Sequence, residues 1–158
     1  MFREIVRKKQ ELSIEKCLEI LQEEKRGVLS LLGDDGYPYG VPINHYYDPE
    51  DEKLYFHGGK SGHRIDAARR CPKASYCVID QGEKDPEEWF LHFNSVIVFG
   101  QLEMIEDEKI IAAKSRALSY KFTKDDQYIQ KEIDRSLAGT SLMAMKIEHI
   151  SGKHIREK

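Results

Sequence analysis

The chain has little of what usually gives a function away at first sight. Its three cysteines, Cys17, Cys71 and Cys77, form no Cys-x-x-Cys pair and are odd in number, so they predict neither a disulfide framework nor a zinc signature. Cys77 sits in an apolar run and reads as a small core residue; at least two of the three thiols are expected to be buried and inert. No apolar run approaches the roughly 20 residues of a membrane-spanning helix. The first nine residues are charged and lack the apolar stretch of a secretory signal, which makes a cytoplasmic location the expectation. There is no basic surplus: 25 Lys and Arg stand against 28 Asp and Glu, a net charge of −3 that argues against a nucleic-acid partner. His92, His149 and His154 have no metal-like neighbours at useful spacing, and no metal site is expected. Neither the Gly-x-x-x-x-Gly-Lys phosphate loop nor the Gly-x-Gly-x-x-Gly dinucleotide fingerprint occurs.

What is present suits one globular domain spanning 1–158, with 40% hydrophobic and 34% charged residues. Ser13 is a candidate helix N-cap, followed by Ile14, Cys17, Leu18 and Leu21 at helical spacing, with Lys25, Arg26 and Gly27 as the stop. Residues 28–32 read as a strand, 33–36 as a turn, and 37–47 as an extended run that Pro38 and Pro42 confine to an edge or a bulge. After a turn at 48–51, residues 53–57 alternate Leu54 and Phe56 against Tyr55, and the three strands are expected to form an antiparallel meander. A short helix follows the glycines, with Ile65, Ala67 and Ala68 inward and Arg64, Asp66, Arg69 and Arg70 outward, stopped by Pro72. Residues 74–79 read as a strand, 80–88 as an acidic surface loop, and 89–105 as a long strand bent near Asn94-Ser95 or at Gly100. Helices are expected at 106–122 and 125–137, and a last strand at 141–150. The fold class is mainly β: a closed or nearly closed antiparallel barrel with peripheral helices.

The stretch with chemistry in it is Phe56-His57-Gly58-Gly59-Lys60-Ser61-Gly62-His63-Arg64. A strand ends, a glycine-rich turn follows, and a helix starts within the turn. Free N–H groups at the helix start and its positive dipole end attract an anion, and the glycines let backbone approach a phosphate. Ser61 adds a hydroxyl, Lys60 and Arg64 add charge, and Arg64 is capable of bidentate contact. On composition alone, a connector with solvated charges is an equal reading.

The segment 59–64, after a strand ending in Phe56-His57, resembles the phosphate segment of the pyridoxamine 5′-phosphate oxidase-like flavoproteins. Residues 26–30 and 35–44 look like that family's first hairpin, whose second strand runs beside the flavin ring. Cys71-Pro72-Lys73-Ala74 resembles its Asn-Pro-x-Val segment, with Cys in place of Asn. Residues 94–100 are similar to its Ser-Val strand, and 150–153 to its closing strand and turn. The likeness spans about Arg26 to Lys153 and is nearest the nitroimidazole-resistance, nitroreductase-like branch.

The resemblance implies an FMN-binding split barrel of about six antiparallel strands, with a helix at about 13–26, barrel strands within 27–105 and 141–156, and helices within 106–138. It also implies a homodimer with FMN at the subunit interface. By it, Gly59, Lys60, Ser61, Gly62 and Arg64 hold the FMN phosphate, with His63 either reaching the phosphate or lying on the helix surface. Val41, Pro42, Ile43 and Asn44 face the ring, though ordinary core is an equal reading for Val41 and Ile43. Ser95 and Val96 approach the flavin from the other subunit or support its ring. His57 is also expected among the cofactor-binding residues; His45 and His57 lie near the proposed ring strand and are weak candidates for handling a proton or substrate, against a structural role. Trp89, Phe90 and Phe93 line the ring pocket, a dimer contact or plain core. The implied function is an FMN-dependent oxidoreductase that moves electrons between FMN and a small organic acceptor such as a nitro compound, with NAD(P)H as a donor. The competing reading is a module that binds, stores or senses FMN or a haem-like ligand without turnover.

Overall fold

Ser13 accepts a hydrogen bond from the Lys16 N–H (3.2 Å) and caps helix α1, Ile14–Glu23, in the computed structural model, which describes residues 1–87 and 89–156. Helix α1 buries Cys17, Ile20 and Leu21. It ends earlier than its basic stop suggests. Glu24 is already extended, and the Lys121 ammonium gathers the last carbonyls of the helix, those of Leu21 (3.2 Å) and Glu24 (2.5 Å). Gly27 therefore lies inside a strand rather than at the helix end.

The strands are β1 (Arg26–Leu32), β2 (Pro38–Asn44), β3 (Tyr46–Asp48), β4 (Lys53–Gly59), β5 (Lys73–Ile79), β6 (Glu83–Lys84), β7 (Leu91–Ile105) and β8 (Thr140–Arg156). They form one antiparallel sheet in the order β2-β1-β5-β7-β8-β4-β3, with β6 paired to β7. Only His45 separates β2 from β3 in sequence, yet these strands are the two ends of the sheet. The sheet therefore curls until its edges meet at His45 without pairing, which is a split barrel.

The expected three-strand meander is corrected in part: the 37–47 run pairs with β1 through β2 and with β4 through the short β3, but it breaks at His45, so β2 and β4 are not neighbours and the other neighbour of β4 is β8. Pro42 has no N–H for a second ladder, and the buried His45 ring leaves the strand at the split. The eight strands exceed the expected six because the 37–47 run breaks into two and the acidic loop contains β6; Glu88 of that loop lies outside the described residues. The long strand does carry a bulge, between Phe99 and Gly100.

Alternate residues of each strand point inward. Leu29, Leu31, Ile43, Leu54, Phe56, Tyr76, Val78, Val96, Val98, Met143 and Met145 form one core closed by α1 and by helix α2 (His63–Arg70) through Ile65, Ala67 and Ala68. Full burial of one such large side chain is worth about 2 kcal/mol. Cys17 belongs to this core, whereas Cys77 is half-buried on the opposite face of the sheet, because its neighbours Tyr76 and Val78 take the inward positions.

Helices α3 (Glu108–Ser119) and α4 (Asp126–Ser136) form a hairpin, their first turns capped by the Asp107 and Asp125 carboxylates. Helix α3 packs on the outer face of β4 and β8 through Tyr55, Ile111, Leu142 and Ala144, and Lys114 pairs with Asp48 and Asp51. Among the described residues no helix is long and apolar enough to cross a membrane.

Candidate functional site

The glycine turn after β4 is built around Arg64. Its guanidinium folds back over the strand end, so that a Cβ at Gly58 would collide with it. Gly62, at φ 111°, takes a conformation that side chains rarely adopt and starts α2 without a side-chain cap. The first N–H groups of α2 thus stay available. The sequence places Arg64 outward; instead it is half-buried, and its Nε is shielded from water with no acceptor. Among the described residues its guanidinium makes one hydrogen bond, a long one from Nη2 to the Gly59 carbonyl (3.4 Å). Burial lowers the Arg64 pKa, and no carboxylate pairs with it among the described residues. A partly desolvated cation without a carboxylate partner, beside open helix N–H groups, has the chemistry that suits an anion of phosphate type.

Two side chains fix α2 on the first hairpin. Arg70 donates to Asp34 (2.9 Å) and to the Leu32 carbonyl (3.0 Å), and His63 stacks on Tyr39 with ring centroids 4.0 Å apart. His63 also lies 3.7 Å from Asp34. His63 is exposed at the helix surface. Ser61 and Gly59 are exposed in the turn, whose carbonyls at Gly58 and Gly59 are held by the Ser141 hydroxyl (3.3 and 2.9 Å).

Beside this turn, Arg26, Pro42, Ile43, Asn44 and His57 line a cavity of about 300 Å³. A second cavity, of about 230 Å³, shares Asn44 and His57 and runs under the α3–α4 hairpin past Leu118, Phe122, Tyr128, Ile129 and Glu132. His57 is the hinge of the two, and burial followed by the nearby Arg64 charge lowers its pKa, so its ring is neutral at ordinary pH. Ile43 is buried and Val41 packs against the core, so these two offer a ligand their backbone rather than their side chains. Pro42 and Asn44 alternate with them and sit on the outer face, opposite Val28 and Arg26 of β1.

His45 is elsewhere. It is fully buried; its Nε2–H donates to the Leu21 carbonyl (2.7 Å), and its Nδ1 accepts from the Tyr76 hydroxyl (2.8 Å). Burial and then the Lys121 charge push its pKa down to about 3. Lys121 donates to the His45 carbonyl (3.1 Å), and burial brings its own pKa down to about 8. With both ring nitrogens engaged in the core, His45 is corrected from a candidate for proton handling to a structural residue.

Other residues expected at the site line neither of these two cavities. Lys60 lines a separate cavity of about 240 Å³ with Arg69, Glu106 and Glu108, which shares no residue with the two above. Val96 is fully buried in the core and lines neither of the two cavities, because it takes the inward position between two outward ones. Ser95 faces out from the sheet in step with Ile97 and Phe99 and lines neither of these cavities of its own chain. Of the aromatic cluster, Trp89 is exposed and Phe90 buried, and neither lines the cavities. Sequence reasoning missed Arg26, Leu118, Ile129 and Glu132. The first was read as a helix stop; Leu118 and Ile129 carried a helical signal that marked burial but not which surface they would face.

Comparison with known proteins agrees with this frame. A family model for pyridoxamine 5′-phosphate oxidase matches residues 13–154. No curated protein matches the chain in sequence. Among solved structures, a candidate 5-nitroimidazole antibiotic resistance protein from Bacteroides thetaiotaomicron superposes with a TM-score of 0.78 at 18% identity, over 92% of this chain and 87% of that one. An FAD-binding protein from Mesorhizobium loti gives 0.68 at 24% identity, over 92% and 97%. An FAD and heme binding protein from Mycobacterium smegmatis gives 0.72 at 22% identity, over 95% and 74%.

Proposed function

The chain belongs to the pyridoxamine 5′-phosphate oxidase family, and from that premise we propose that it is a flavoprotein that binds FMN and passes electrons to a small organic acceptor. The observation that carries this reading is Arg64, a partly desolvated guanidinium with an orphaned Nε and no carboxylate, standing beside a 300 Å³ cavity. Arg64, the Ser61 hydroxyl and the first N–H groups of α2 hold the phosphate. Backbone of β2 from Val41 to Asn44 supports the ring, and the Asn44 side chain meets its polar edge.

When bound, FMN supplies the redox chemistry. The protein's part is orientation and access. The cavity under α3–α4, walled by Leu118, Phe122 and Ile129, receives an acceptor such as a nitro compound against an apolar wall. His57, common to both cavities and neutral, hydrogen-bonds the acceptor and exchanges a proton with it. NAD(P)H is the proposed source of electrons.

Two chains complete the site. The outward row Pro42, Val28, Cys77 and Ile97 crosses four adjacent strands, with Val28 and Ile97 41% and 38% exposed, and it begins at a residue of the cavity wall. Such a patch suits a second copy of the chain, whose Ser95 would then reach the flavin.

The visible spectrum of the purified protein tests the cofactor. Flavin bands, with FMN rather than FAD recovered on extraction, are expected; a colourless protein that fails to bind added FMN overturns the proposal. Recovery of FAD would assign the larger flavin, as in the Mesorhizobium loti neighbour. Bleaching by NAD(P)H and re-oxidation by a nitroaromatic compound separate an enzyme from a carrier that only retains the flavin.

A further inference from the structure

Arg26 and Asn44 face each other across the β1–β2 ladder, and both line the 300 Å³ cavity. The Arg26 Nε–H donates to the Asn44 side-chain oxygen at 3.1 Å. This contact fixes more than a distance. A guanidinium has donors only, so the atom turned toward it must be the amide oxygen. Both hydrogens of the Asn44 Nδ2 are then left for the cavity. Without Arg26 the amide is free to turn over and offer an acceptor in their place.

Arg26 is otherwise uncommitted. It forms no ion pair among the described residues, although Glu23 and Glu24 border a neighbouring crevice with it; the Glu24 carboxylate accepts instead from Gln81 (3.3 Å). Its positive charge at the cavity wall is therefore not cancelled by a bonded carboxylate.

We infer that Arg26 is a positioning residue that sets the redox potential of the flavin, by locking Asn44 as a donor and by placing a positive charge beside the ring. The inference rests on the flavin reading given above. The polar edge of an isoalloxazine carries two carbonyl oxygens and two ring nitrogens that accept, flanking a single N–H. An amide presented as donor matches those acceptors and not the N–H. Reduction by two electrons with uptake of one proton leaves one extra negative charge, spread over this edge. A fixed donor and an unpaired cation both stabilise that charge more than the neutral oxidised ring, so they raise the potential; charge and hydrogen bonds at the ring edge are the protein's levers on a flavin. A reactive acceptor pocket shared through Asn44 and His57 would feel the same setting.

The test is spectroelectrochemical titration of the FMN-loaded protein and of Arg26→Gln, Arg26→Lys, Asn44→Ala and Arg26→Gln/Asn44→Ala. Arg26→Gln is expected to disfavour reduction by roughly tenfold, equivalent to about 30 mV for a two-electron couple. Arg26→Lys keeps the charge and a donor and should recover much of that shift. The double variant should fall short of the sum of its parts, since part of the Arg26 effect passes through Asn44. Arg26 is exposed, so thermal melting should stay near that of the parent in each Arg26 variant. Variants that bind FMN at the parent potential overturn the role of Arg26 and leave the flavin reading standing. A parent chain that binds no flavin removes both.

Discussion

At the scale of single residues, Arg64 concentrates a conflict between stability and binding. Shielding a guanidinium without a partner costs the folded protein free energy, and an anionic ligand would return it. Arg64→Ala should therefore weaken FMN binding by roughly 10- to 100-fold, since hydrogen bonds to charged groups contribute about 1.5–3 kcal/mol. The flavin-free protein should melt no lower than the parent. Fluorescence titration and thermal melting of the apo protein check the pair of outcomes; a destabilised apo variant with unchanged affinity would make Arg64 structural. Gly58→Ala, which drives a methyl group into the guanidinium, should lower FMN affinity in the same direction.

His45 gives a second residue-scale prediction. Its folded pKa, about 3, lies below the ordinary value of 6.5, so the unfolded chain binds the proton first. The stabilisation is complete above pH 6.5 and is lost as pH falls toward 3, at up to about 1.4 kcal/mol per unit for one proton. Urea unfolding at pH 7, 6 and 5 should show that slope in the parent and less of it in His45→Gln.

At the scale of elements, the sequence was legible wherever the signal is local. The Ser13 cap, the inward face of α2, the alternation of β4 and the bent β7 follow from periodicity, capping and glycine. What it did not disclose depends on partners distant in the chain. Pairing of β4 with β8 joins residues about 90 apart, and local pattern says nothing of it. Arg64 was read outward because helical phase alone decides that, whereas the Gly58 backbone leaves room for it to fold back. The end of α1 was misplaced for the same kind of reason: its cap, Lys121, lies 97 residues downstream. Lys121 ties α1, the split at His45 and the end of α3 together through three carbonyls. Lys121→Met should cost about 2 kcal/mol and lower the melting temperature by roughly 4–8 °C for a chain of this size. A melting temperature within about 1 °C of the parent would remove the clamp from the account.

At the scale of the whole molecule, the split barrel hides one face of its sheet and leaves the other with an apolar row. Ile97, Val28, Phe99 and Ile79 are all more than a third exposed on it, and Phe2 already covers part by stacking on His149 (4.9 Å) and Phe99 (5.3 Å). Water contact with such a row is unfavourable at about 25 cal/mol per Å², and a second copy of the chain is the proposed cover. The row starts at Pro42, in the wall of the 300 Å³ cavity, so covering it also walls in that cavity. Ile97→Glu separates the two consequences from folding. An exposed position accepts a charge at a cost of only about 0.5 kcal/mol, so the variant should remain folded. Pressing that charge into an apolar interface costs several kcal/mol, so light scattering after size exclusion should find a dimer for the parent and a monomer for Ile97→Glu. If the partner completes the cradle, FMN affinity should fall at least tenfold with the loss of the dimer, even though Ile97 touches neither cavity of its own chain. A monomeric variant that keeps its flavin would confine the site to one chain, and a monomeric parent would leave the apolar row without its proposed partner.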